Sequence, residues 1–146
     1  MKSVTRVRLG PEEIKYITLF ESMTGATVKD CVQEADTMGF LVKKGDMGLA
    51  IGKGGSNIER VRNTMGKSVW IMEFDEEEPK FVKNLFQPIK VKQVRISSAN
   101  KEKTAIIEVN RQDRKRVIGP EGKRIKLAKE MAKRHFMIEN IIVQVV

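Results

Sequence analysis

The chain carries one eight-residue pattern twice. Residues Ile51-Gly52-Lys53-Gly54-Gly55-Ser56-Asn57-Ile58 and Ile118-Gly119-Pro120-Glu121-Gly122-Lys123-Arg124-Ile125 both read I-G-x-x-G-x-x-I, 67 positions apart. An apolar run that enters a two-glycine turn and leaves as a helix offers bare backbone N–H groups to an anion such as phosphate. In 146 residues a repeat of this spacing predicts two small domains, 1–75 and 76–146. Each has about 70 residues, a size at which a lone core is marginal, so the halves are expected to pack on each other.

The charge is unequally shared. The first 75 residues hold 11 Lys+Arg against 10 Asp+Glu, and the remainder hold 17 against 9. Ten of these basic side chains fall between Arg111 and Arg134, with three acidic ones, around the second glycine turn. Clustering of this kind is the electrostatic footprint of a polyanion partner, or else a solvated helix face. Cys31 is the only cysteine and His135 the only histidine, so neither a disulfide nor a Cys/His metal site can form within the chain. Both are expected to be structural. No Ser-His-Asp or Cys-His set and no carboxylate cluster with ligand spacing presents itself, so neither catalysis nor a cofactor is expected. No apolar run of about 18 residues is present, and a soluble, cytoplasmic protein is expected.

Periodicity gives each half the same order: helix, strand, strand, helix, glycine turn, helix, strand. Thr5 to Leu9 alternates as a further short strand at the start. Pro11 opens a helix with Glu12 and Glu13 in its first turn, and Gly25 stops it. Strands are predicted over 28–35 and 40–44, with 36–39 as their turn, and over 67–74. Asp46 is the expected N-cap of a helix over 47–51, and Ser56 or Asn57 starts the next, with Ile58, Val61 and Met65 as its buried stripe. Asp75 to Pro79 reads as a polar break. In the second half a helix is predicted over 80–86, strands over 89–97 and 104–109 around a turn at Asn100, a helix over 123–135 and a last strand over 138–146. Asp113 stands at the same offset from its glycine turn as Asp46. Trp70 and Phe74 read as core.

Neither turn fits a nucleotide-hydrolysing or dinucleotide-binding loop. The P-loop requires G-x-x-x-x-G-K-[ST], and the dinucleotide fingerprint requires a third glycine where Asn57 stands. What remains is a two-helix element whose G-x-x-G turn clamps single-stranded backbone while flanking isoleucines form a groove for bases. The pattern I-G-x-x-G-x-x-I, preceded by one helical turn and followed by a longer helix and strand, resembles the KH domain. The helix and strand ahead of each core unit are similar to the type II arrangement. Two such domains in tandem resemble the NusA-like transcription factors of archaea over essentially the whole chain.

The resemblance implies an α+β fold of two three-stranded mixed sheets packed on helices. It implies single-stranded RNA as partner, with RNA polymerase or a transcription complex beyond it, and no membrane. By position in the motif, Gly52, Gly54 and Gly55 would let the RNA backbone approach, with Lys53 as a cation over it and Ser56 and Asn57 opening the helix that faces the phosphates. Ile51 and Ile58 would line the groove or simply fill the core. Gly119, Gly122, Ile118 and Ile125 hold the equivalent places in the second copy. There Pro120 and Glu121 depart from the pattern, and the Glu121 carboxylate repels phosphate. Lys123 and Arg124 are expected to outweigh it, with Arg114, Lys115 and Arg116 extending the basic path. With no aromatic residue in either turn, stacking is not expected to dominate. A role in transcription elongation, termination or antitermination follows from the resemblance. The alternative is a part in ribonucleoprotein or ribosome assembly.

Overall fold

A computed structural model describes residues 9–146; most of the predicted strand at 5–9 lies outside the described residues. Helix α1 (Pro11–Thr24) starts on Pro11, carries Glu12 and Glu13 in its first turn, and ends where Gly25 turns left-handed (φ 78°) and its N–H donates to the Glu21 carbonyl. Strands β1 (Val28–Glu34) and β2 (Thr37–Val42) form an antiparallel pair, and β3 (Ser68–Glu73) joins β2 in parallel. Helices α2 (Met47–Ile51) and α3 (Ser56–Met65) bridge β2 to β3. The second half repeats the plan with α4 (Glu78–Asn84), β4 (Gln93–Ala99), β5 (Glu102–Val109), α5 (Arg114–Ile118), α6 (Lys123–Phe136) and β6 (Ile138–Val145). Among the described residues the strands make two three-stranded mixed sheets, β1-β2-β3 and β4-β5-β6, each with its third strand parallel to its second.

One strand departs from the expected boundaries for a physical reason. The hairpin turn is Ala35-Asp36, with Ala35 left-handed at φ 53°, and the predicted turn residues Thr37 to Gly39 belong to β2. All six residues of β2 are buried, because the strand is covered on both faces. Gly39 is there for packing. A Cβ on it would stand 2.6 Å from Met72 Cε, 3.3 Å from Val32 Cγ2 and 3.6 Å from Leu127 Cδ1. Its absence lets α6 of the second half approach the first sheet.

Two cores result. One face of the first sheet packs on α1, α2 and α3, with Phe20 stacked on Phe40 at 4.4 Å between centroids, and Cys31, Met38 and Val61 fully packed around them. The opposite face contributes Val32, Leu41 and Met72 to a cluster with Phe81, Leu85, Ile107, Leu127 and Met131 of the second half. The halves therefore share a core, as their small size requires. Phe74 is part of it, packed on Phe81 and Phe136 at 5.7 and 6.2 Å.

Other differences are local. Helix α4 begins at Glu78, inside the expected polar break, and β4 begins at Gln93 because Ile89 and Val91 serve the core from an irregular connection. Asn100 and Lys101 are both left-handed (φ 52° and 67°), which suits a two-residue hairpin and lets β5 start at Glu102. Asp46 does not cap α2 with its side chain. Its carboxylate instead accepts the Thr27 N–H at 2.8 Å, tying that turn to the entry of β1. Asp113 makes no cap bond either and pairs with Arg116 at 3.3 Å.

Candidate nucleic-acid interface

The two glycine turns have nearly the same backbone. Gly52 (φ 76°, ψ 171°) and Gly119 (φ 79°, ψ 169°) end their short helices, Gly54 (φ 62°) and Glu121 (φ 56°) are left-handed, and Gly55 and Gly122 (φ 81° and 72°) precede the long helices. The N–H of the last glycine donates to the carbonyl of the first at 3.1 Å in both. No side chain caps the N-terminus of α3 or α6; the first N–H of each helix, Ser56 and Lys123, donates to the carbonyl of Lys53 and of Pro120 within the turn, and the positive end of each helix dipole lies at the turn.

The glycines serve different ends. A Cβ at Gly52 would meet the Asn57 backbone N at 2.8 Å, and one at Gly119 the Arg124 N at 3.0 Å and Cβ at 2.7 Å. These two positions close the turn onto its own helix. Beside Gly54 and Gly122 there is open space within 4 Å, which leaves room for a ligand's backbone to come close. Asn57 is a clamp as well, its Nδ2 donating to the Leu49 carbonyl at 2.8 Å and so fixing α3 against α2. Lys53, Gly54 and Ser56 are exposed at the tip.

Ile51, 38% exposed, and half-buried Ile58 line a groove with Val69, Trp70 and Ile71 of β3. Gln87 and Pro88, from the connection after α4, form its far wall. Sequence patterns gave no signal for these two, because they reach the first groove from the second half of the chain. In the second turn Ile118 and Ile125 are half-buried, and Ile125 packs against the shared core.

The basic run divides into two groups. Arg114, Lys115 and Arg116 are exposed on α5. Lys123 and Arg124 are not placed as expected. Lys123 Nζ lies 2.8 Å from Asp36 Oδ1 in the first hairpin; this bond raises the lysine's pKa and lowers that of the carboxylate. Arg124 is 2% exposed, its guanidinium 3.8 Å from the Trp70 ring centroid and its Nη2 donating to the Gln87 carbonyl at 2.8 Å. Burial, with Arg116 nearby, lowers its pKa to about 10, so it stays cationic near neutral pH. Lys126 and Arg134 likewise pair with Glu34 and Asp30 of the first half at 3.7 and 3.0 Å. Much of the basic run on α6 thus faces acidic or aromatic groups of the first sheet; Glu121 stands exposed, and Lys123, still near enough to feel its charge, is hydrogen-bonded to Asp36 instead.

Among the described residues no group of His, Cys, Asp and Glu could hold a metal ion, and no helix is long and apolar enough to cross a membrane.

A mixed three-stranded sheet, a glycine turn between a short and a long helix, and the repetition of both define a tandem KH protein. Residues 14–73 match the KH domain and residues 78–144 the NusA-like second KH domain. The chain is 38% identical over 138 residues to the probable transcription termination protein NusA of Methanocaldococcus jannaschii, covering 94% of this chain and 75% of that protein. It is 38% identical over 135 residues to the protein of the same name from Halobacterium salinarum, covering 92% and 96%. The solved structure titled "Crystal structure of APE1850" superposes with a TM-score of 0.74 at 32% identity, covering 93% of this chain and 100% of that one. The chain belongs to the archaeal NusA family.

Proposed function

We propose that this protein holds single-stranded RNA through its glycine turns and acts by that binding, without catalysis, in transcription elongation, termination or antitermination. The observation that carries the reading is the common geometry of the two turns, with no side-chain cap on the helix that follows and open space beside the middle or last glycine, together with the apolar groove alongside the first. Backbone N–H groups and the helix dipole hold phosphate, and the groove accepts unstacked bases. The relatives named for transcription termination support the process, with RNA polymerase or the transcription complex as the setting and the cytoplasm as the compartment. We place the domain division at 1–75 and 76–146, in the short connection between β3 and α4.

Lys53, Gly54, Gly55 and Ser56 form the tip of the first clamp; Gly119 and Gly122 shape the second, with Arg114, Lys115 and Arg116 beside it. The test is crosslinking to cellular RNA followed by sequencing of the bound fragments. Nascent transcripts are expected. Enrichment of mature ribosomal RNA would instead indicate ribonucleoprotein assembly, and no enrichment would overturn RNA binding.

A further inference from the structure

Each sheet has two edge strands, and an edge offers unpaired N–H and C=O groups to any further strand. Among the described residues, three of the four edges are guarded. β1 is flanked by α1 and α6, with Glu13, Lys126 and Arg134 beside it. β3 faces the wall of Gln87 and Pro88 across the first groove. β4 carries Arg95, with Lys90 and Lys92 exposed just before it and Lys101 just after. β6 has no such device among the described residues. Its main neighbours are β5 and α6, and its one bulge stands at Glu139. From Asn140 to Val145 it pairs regularly with β5 and contains neither charge nor proline. Ile142 is 43% exposed, and Val145 and Val146 are exposed as well.

The strand also reads alike in both directions. From Ile138 to Val146 the sequence is I-E-N-I-I-V-Q-V-V. Laid antiparallel on a second copy about Ile142, it sets Ile138 on Val146, Asn140 on Gln144, Ile141 on Val143 and Ile142 on itself. Glu139 meets Val145, so no like charges stand opposite each other. Ile142 is in register with Ile106 of β5, and their apolar row would run on into Ile142 and Ile106 of the second copy. We propose that β6 is a self-association surface, which pairs antiparallel with β6 of a second copy about a twofold axis at Ile142 and joins two three-stranded sheets into one. Each copy carries a net charge of +9, and this repulsion opposes the dimer. Association therefore strengthens as salt screens the charge, the reverse of a contact made by ion pairs. The inference is independent of RNA binding.

The test uses the full chain, freed of nucleic acid, in sedimentation velocity runs across the micromolar-to-millimolar range at low and high salt. A concentration-dependent dimer is expected, tighter at high salt. Ile142→Lys sets two ammonium groups opposite each other at the axis and is expected to weaken the dimer at least about tenfold. The site is exposed, and circular dichroism checks that the variant is folded. Register is read by disulfide trapping, in which buried Cys31 does not compete. Under mild oxidation Ile142→Cys is expected to give a covalent dimer. Asn140→Cys, whose counterpart would lie about 14 Å away, is expected to give none. A chain that stays monomeric throughout, a dimer that Ile142→Lys leaves unchanged or that salt weakens, or equal trapping through Asn140→Cys would each overturn the proposal.

Discussion

Asp30 of β1 and His135 of α6 are 105 residues apart in sequence, and Oδ2 of the first lies 2.8 Å from Nε2 of the second. The other carboxylate oxygen accepts Arg134 Nη1 at 3.0 Å and the Cys31 N–H at 2.7 Å, and the Asp30 side chain has no exposed surface. Removing a carboxylate from a buried pair strands its partners. Asp30→Ala should therefore cost about 3 kcal/mol. At this chain length that lowers the melting temperature by about 10 °C. Calorimetry of the purified protein and its variant measures it, and a change of only a degree or two would remove the assigned role from this contact.

The double substitution Lys53→Asp with Gly54→Asp should weaken RNA binding by about 10- to 100-fold at low salt, with a smaller loss at high salt where charges are screened. The fold should survive, because Gly54 has open space around it and Asp tolerates a left-handed backbone better than most residues. Anisotropy titrations at two salt concentrations, beside circular dichroism, separate loss of binding from loss of structure.

Glu121 occupies a left-handed position (φ 56°) where the first turn has Gly54. Glu121→Gly relieves that strain and gives back part of the gain as unfolded-state entropy, for a net stabilisation of about 0.5–1 kcal/mol. It also removes a carboxylate from the phosphate side of the turn, so RNA affinity should rise a few-fold. An affinity that fell would mean that Glu121 contributes a contact of its own.

Asp75 predicts an acid-limited stability. The Glu77 N–H donates to its Oδ1 at 2.9 Å, and Lys44 and Lys80 lie 3.4 and 3.8 Å from its Oδ2. The backbone bond foremost, with Lys44 and Lys80 adding to it and outweighing burial, holds the carboxyl below its ordinary pKa. A depressed folded-state value means the unfolded chain binds the proton more readily. The contribution is therefore present above the unfolded value of about 3.9 and is lost as pH falls through the lower folded one. Melting temperatures of the natural chain and Asp75→Asn should differ most near about pH 6 and converge toward about pH 3. A constant gap across that range would contradict the assignment.

Cys31 is 1% exposed, and burial, with Asp30 and Glu13 adding to it, pushes its pKa up to about 12. The thiolate is the reactive form, so the native protein should react with a thiol reagent at about pH 8 far more slowly than the same chain in denaturant. Equal rates would show that the first core opens readily.

Much of this arrangement is legible in the sequence because its cues are local. The glycine turns, the helix stop at Gly25 and the stripe through Ile58, Val61 and Met65 all depend on neighbours a few residues away. What escapes is set by distant partners. Gly39 reads as a turn residue until Met72 and Leu127 are seen pressing on it, and Gln87 and Pro88 carry no pattern that would place them beside Ile51. Arg124 follows the same logic. Next to a glycine turn it reads as a cation for phosphate, and only Trp70, brought over from the other half, makes it a buried group.

The covering of β2 by α6 also sets a timetable for synthesis. β3 is complete at Glu73, 54 residues before Leu127, and at typical elongation rates the interval is roughly 3–11 s. Through that interval Val32, Leu41 and Met72 have a finished strand order around them and no helix over them. A ribosome that pauses between β3 and α6 prolongs the time for which the nascent chain shows an adhesive surface, so codon speed along that stretch bears on the yield of folded protein.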